Sequence, residues 1–115
     1  DCRNAINYGI LSQGSFAQVL PADGIILSTS AITVKNGESV MSALKKILKE
    51  NRINFSISSS GYVRMIGGLS EFDCGAYSGW MYKVNGVLPS VSTKSYPLKD
   101  GDKVEFVYTC KMGDV

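Results

Sequence analysis

The chain is 115 residues long, with 44% hydrophobic and 19% charged residues. That is the composition of one ordinary globular domain and not of a disordered segment. Twelve basic against ten acidic residues leave a net charge of +2, too balanced for the concentrated basic face of a nucleic-acid-binding protein.

Histidine is absent, which removes Ser-His-Asp and Cys-His catalysis and the commonest transition-metal ligand. No apolar run reaches the length of a membrane span. The chain starts at Asp1 with neither a signal peptide nor an initiator Met, as expected of a mature or excised segment.

In chain order, residues 1–20 read as an irregular lead-in. Cys2, Ile6 and Tyr8 alternate loosely with polar residues, and Leu11 to Leu20 offer a short helix or turn, broken by Gly14 and stopped by Pro21. The expected core runs over about 21–113. Ala22, Asp23 and Gly24 signal a turn. Ala31 to Lys35 read as a strand with Ile32 and Val34 on one face, and Asn36-Gly37 turns the chain. Ser39 is placed to cap a helix over Val40 to Asn51, with Val40, Leu44, Ile47 and Leu48 on one face and Lys45, Lys46, Lys49 and Glu50 on the other.

From Ile53 onward the period becomes two. Phe55 and Ile57 alternate with polar residues, Ser59 to Gly61 turn, and Tyr62 to Ile66 make a further strand closed by Gly67-Gly68. Trp80, Tyr82 and Val84 share one face of the next strand, which ends at the hairpin signal Asn85-Gly86. Val87 to Tyr96 read as irregular extended chain, with Pro97 arguing against a central strand. After the Asp100-Gly101 turn, Lys103 to Cys110 form the last strand, with Val104, Phe106 and Tyr108 on one face. Strands, one helix and then a run of strands predict a single α+β domain over 1–115. The specific expectation is a β-grasp-like arrangement: one main helix packed on one face of a small, mostly antiparallel sheet.

The paired blocks Ser78-Gly79-Trp80-Met81-Tyr82-Lys83-Val84-Asn85-Gly86 and Tyr96-Pro97-Leu98-Lys99-Asp100-Gly101-Asp102-Lys103-Val104-Glu105-Phe106 are distinctive at this spacing. With Asn36-Gly37-Glu38-Ser39-Val40, Gly67-Gly68-Leu69, Glu71-Phe72-Asp73-Cys74-Gly75 and Tyr108-Thr109-Cys110, they resemble the transcobalamin C-terminal-like domain of bacterial secreted and surface proteins. In transcobalamin and intrinsic factor the corresponding domain covers one face of a corrinoid beside a larger helical domain, which this chain lacks. The resemblance therefore implies an extracellular or cell-surface, non-enzymatic module, part of a larger secreted or anchored protein. Its expected ligand is a corrinoid or another small planar molecule, with no cofactor firmly implied. The alternative is a protein- or glycan-interaction module with no small-molecule ligand.

Candidate ligand-binding residues are Tyr77, Trp80, Tyr82 and Tyr96, with Val87 to Tyr96 as an adjustable wall. The plain reading of Trp80 is a core residue, with a partly exposed stacking surface for a planar ligand as the alternative. No catalytic residue is assigned. Glu71 with Asp73, and Asp100 with Asp102, are the carboxylate pairs on paper; surface solvation is the plain reading of both, and no metal site is assigned. Three cysteines suggest one disulfide and a spare thiol in a secreted chain, or three thiols in the cytosol. The resemblance implies a Cys74–Cys110 disulfide with Cys2 outside it. Pairing of Cys2 with one of the others is the rival arrangement.

Overall fold

The computed structural model describes residues 1–12, 16, 20–111 and 113–115. The helix or turn expected over Leu11 to Leu20 lies largely outside the described residues.

The main helix, α2, runs Val40–Glu50. Ser39 caps it, its hydroxyl accepting from the Ser42 amide at 3.1 Å. Lys49 in the last turn complements the helix dipole. Val40, Ala43, Leu44 and Leu48 are its buried residues, a stripe at the spacing of one helical face. Ile47 packs against the core from a half-buried position.

The expected antiparallel pairing is present and divides into two sheets. In the first, β1 (Phe55–Ile57), β2 (Val63–Ile66) and β3 (Leu69–Ser70) form a meander. Gly67 and Gly68, with φ of 62° and 90°, join β2 to β3 as a two-residue hairpin. In the second, β4 (Gly79–Val84) pairs with β5 (Val104–Thr109) from Gly79↔Thr109 to Val84↔Val104. The buried residues form two clusters. One joins Leu44 and Leu48 of α2 to Val63, Ile66, Leu69, Trp80 and Tyr108. The other joins Val40 and Ala43 to Val84 and Leu98, with Val104 packed against it. Phe106 packs against both. The helix thus covers the β4–β5 face that the sequence pattern assigns to it.

Two expectations need correction. Ala31 to Lys35 form no strand, although the burial pattern keeps period two, with Ile32 and Val34 half-buried between exposed neighbours. The backbone here bonds to side chains beside the helix: Lys46 Nζ donates to Thr33 O and the Lys35 amide donates to Glu38 Oε1. Alternating burial requires only one covered face, and α2 supplies the cover in place of a neighbouring strand.

The opening is also not an irregular lead-in appended to a core over 21–113. Helix α1 spans Arg3–Asn7, a 3-10 turn spans Ile10–Ser12, and Cys2, Ala5 and Ile10 are fully buried in the main cluster. Asp1 lies along β5, its backbone N donating to Phe106 O at 2.8 Å and its carbonyl accepting from Tyr108 N at 2.9 Å. Nothing in the short stretch around Ala5 shows strong helix preference; packing on β5 orders it. Among the described residues, no helix is long and apolar enough to cross a membrane.

Candidate functional site

The Asn85-Gly86 turn ends β4 with φ of 53° and 82°, as a type I′ hairpin requires, and Val84 and Val87 exchange both backbone bonds. The chain then departs at Leu88-Pro89 and returns to the body at Thr93. There the buried Thr93 hydroxyl donates to Gly61 O, and a Cβ on Gly61 would stand 2.6 Å from the Lys94 amide nitrogen. That close approach locks the far wall to the β1–β2 turn.

Between this wall, β4 and residues 60–63 lies an open groove of about 780 Å³. Its volume is that of a small-molecule site. No residue lining it carries an acidic or basic side chain.

Its rim is unusual for a surface. Tyr77 is 88% exposed and Phe72 is 63% exposed, with Tyr62, Leu88 and Val91 each between 41% and 49% exposed. All five line the groove. Phe72 has φ of 69°, a left-handed conformation costly for an aromatic residue. The turn around it holds that shape: the Phe72 amide donates to Ser78 O, and the Phe72 carbonyl accepts from Gly75 N. An isolated exposed apolar side chain means little, but several converging on one concavity mark an interaction surface.

The expected ligand residues fall into different settings. Tyr77 stands at the rim. Trp80 is only 7% exposed; its indole N–H donates to Leu69 O at 2.8 Å and its ring meets Tyr108 edge-on. It is a core residue that also reaches the groove lining. Tyr82 lines the groove, stacks on Phe106 and donates its hydroxyl to Val91 O. Tyr96 sits behind Tyr82, edge-on to it in the second core cluster, outside the groove lining. The rim residues that pattern reasoning passes over are Tyr62 and Phe72, whereas Leu88 and Val91 fall within the wall expected over Val87 to Tyr96. Pro89, one position past a hairpin turn, was the legible hint that the returning chain diverges there.

The titratable groups have structural uses. Asp102 accepts from the Lys99 amide and the Asn85 side chain, and the amide bond holds its carboxyl below the ordinary range. Asp73 accepts from the Ser70 amide. Glu71 beside the Tyr62 phenol, together with partial burial, pushes that phenol up. The Cys110 and Cys74 sulfurs approach to 2.7 Å. Burial pushes the Cys110 and Cys2 thiols up, and the Cys74 neighbour adds to the rise at Cys110. A thiol held protonated is a poor nucleophile. Among the described residues, no group of three or more Cys, Asp or Glu is placed to hold a metal ion.

No curated protein matches the chain. Among solved structures, haptocorrin in complex with Cbi is similar at 23% identity and a TM-score of 0.60, over 72% of this chain and 23% of haptocorrin. A candidate metal binding protein from Ruminococcus gnavus is similar at 18% identity and a TM-score of 0.47, over 69% of this chain and 77% of that one. The haptocorrin likeness shows a shared α+β fold, consistent with a transcobalamin-like C-terminal domain, and this chain spans about a quarter of that protein's length. Residues 37–110, from the Asn36-Gly37 turn to the end of the last strand, match one family over most of the chain, and the chain belongs to it: the domain of unknown function DUF4430.

Proposed function

We propose that this chain is a non-enzymatic binding module whose groove captures a small planar ligand, with a corrinoid as the candidate class. One observation carries the reading: exposed Phe72, Tyr77, Leu88 and Val91 converge on one uncharged groove, with Phe72 held in a strained backbone conformation. Strain at an exposed aromatic persists only where surrounding structure enforces it, which is common at ligand clamps.

The haptocorrin likeness supports the corrinoid class, since that protein was solved with Cbi. A groove without acidic or basic side chains, in a chain without histidine, supports binding over catalysis. Incubating the purified domain with cobinamide and desalting it tests the reading. Retained colour, with Trp80 fluorescence quenched on titration, is the expected result. Unchanged fluorescence and no colour across a corrinoid and porphyrin panel overturn it.

The module works outside the cell or on its surface, as part of a larger protein, with Cys74 and Cys110 joined as a disulfide and Cys2 free in the core. The proximity of the two sulfurs and the burial of Cys2 support this pairing. Closing a loop of 36 residues adds roughly 3–4 kcal/mol on the chain-entropy model. Thiol counting on denatured, unreduced protein should find one reactive thiol. Three thiols, or a bridged peptide containing Cys2, count against the pairing.

A second reading, an interaction module for a protein or glycan partner, is favoured by a different observation: among the described residues, the outward backbone groups of Trp80 and Tyr82, on the β4 edge beside the groove, have no protein partner.

A further inference from the structure

The two edges of the β4–β5 ribbon differ in what they offer. The Asn85 amide donates to Lys103 O at 2.7 Å, which continues the ladder beyond Val84 and sets the odd-numbered residues of β4 as those bonded to β5. On the far side of β5, Asp1 bonds Phe106 O and Tyr108 N, so the partners of Tyr82 and Trp80 point away from β4. The even-numbered residues of β4 therefore direct their N–H and C=O groups outward.

At one end the Ser78 carbonyl accepts from Phe72 N at 2.9 Å; at the other, Val84 bonds Val87 in both directions. Between them the outward N–H and C=O groups of Trp80 and Tyr82 have no protein partner among the described residues. Trp80 is 7% exposed, and backbone groups this sheltered are nearly always paired in folded proteins.

The sequence explains why this edge stays open. A hairpin that turned at Asn85-Gly86 and kept zipping would place residue 89 opposite Tyr82 as the next bonded pair. Residue 89 is proline, which has no N–H to give. The returning chain leaves after Val87, and the Thr93–Gly61 bond holds it to the β1–β2 turn. The result is a gap with the open edge on one side and Leu88 to Thr93 on the other. Natural edges are blunted with lysine, proline or a bulge; here the two open residues are Trp80 and Tyr82, and the groove beside them is lined by no acidic or basic side chain.

We propose that the free edge of β4 at Trp80–Tyr82 is a docking site for an extended polypeptide segment of alternating apolar residues, which adds to the ribbon as a strand and lays every second side chain into the groove. An extended chain presents donors and acceptors on one edge at every second residue, the spacing of the four open groups. The site shares the groove with the planar-ligand reading and does not rest on it.

The probe is a blocked peptide of alternating valine and threonine flanked by lysines, with leucine and phenylalanine versions in place of valine, each at millimolar concentration. Amide hydrogen exchange of the intact domain should slow at least tenfold at Trp80 and Tyr82 when peptide is added, with Met81 and Lys83 unchanged because they already bond β5. N-methylation of the peptide at one alternate set of residues should weaken binding about tenfold or more, and at the other set should leave it within threefold. The proposal is overturned if no peptide of the series slows the Trp80 and Tyr82 amides, or if both methylated sets bind alike. Cobinamide in a parallel arm separates the two readings. Corrinoid binding without peptide protection removes this proposal alone, whereas peptide protection without corrinoid binding removes the planar-ligand reading alone.

Discussion

The aromatic residues on the two sides of β4 share a chain segment and have opposite fates. Trp80 and Tyr108 meet edge-on beneath the helix, and each has its polar tip bonded: the indole to Leu69 O, the phenol to Ser70 O and the Ser78 hydroxyl. Tyr77 and Phe72, a few residues away, stand largely exposed at the groove rim. Aromatic density by itself therefore does not mark a site. What separates the two regions is partnership: satisfied rings hold the fold, and unsatisfied ones remain for something outside it.

The sharpest break in that comparison comes from the core side. Leu44→Ala removes buried side-chain volume between α2 and the main cluster and should cost about 2–5 kcal/mol in urea unfolding. A change near zero would mean that the helix does not pack as described.

Next in size is an alkaline effect. Burial pushes the Tyr108 phenol from 10.0 up to about 12. The folded state thus keeps a proton that the unfolded chain releases. The stability this contributes is complete below pH 10 and is lost between pH 10 and about 12. Two pKa units correspond to roughly 2–3 kcal/mol as an upper bound. Unfolding free energy measured across that window should fall in the natural chain and fall less in Tyr108→Phe, which has no phenol to ionise. Parallel slopes would show that other groups carry the effect.

The smallest expected effect on stability is the most telling for the groove. Tyr77→Ala should change unfolding free energy by no more than about 0.5 kcal/mol, as expected for a side chain 88% exposed. The same variant should weaken ligand capture several-fold, read by Trp80 fluorescence. A variant as destabilised as Leu44→Ala would move Tyr77 to the core side of the comparison.

Much of the framework was legible because it depends on local chemistry. The Ser39 cap, the α2 stripe, the Asn85-Gly86 turn and the alternation on β4 and β5 each use residues within one turn or one strand of one another. The Ala31–Lys35 stretch shows the limit of that legibility. Period two reports a covered face but does not say what covers it. The opening residues failed for the opposite reason: α1 has no strong local signal and exists through contact with β5 at the other end of the chain.

The sequence by itself determined the α+β class, the main helix with its buried face, the two aromatic strands and the absence of histidine chemistry. These follow from period, turn residues and composition, which act over a few residues. Only the tertiary structure decided that the pairing divides into two sheets, that Trp80 belongs mainly to the core while Phe72 and Tyr77 do not, and that Tyr96 backs Tyr82 away from the groove. The physical reason is that exposure and pairing are properties of what lies across the gap. Pro89 is visible in the sequence as a residue without an N–H, but the edge it leaves open exists only once Thr93 is tied to Gly61 and the returning chain is held away from β4.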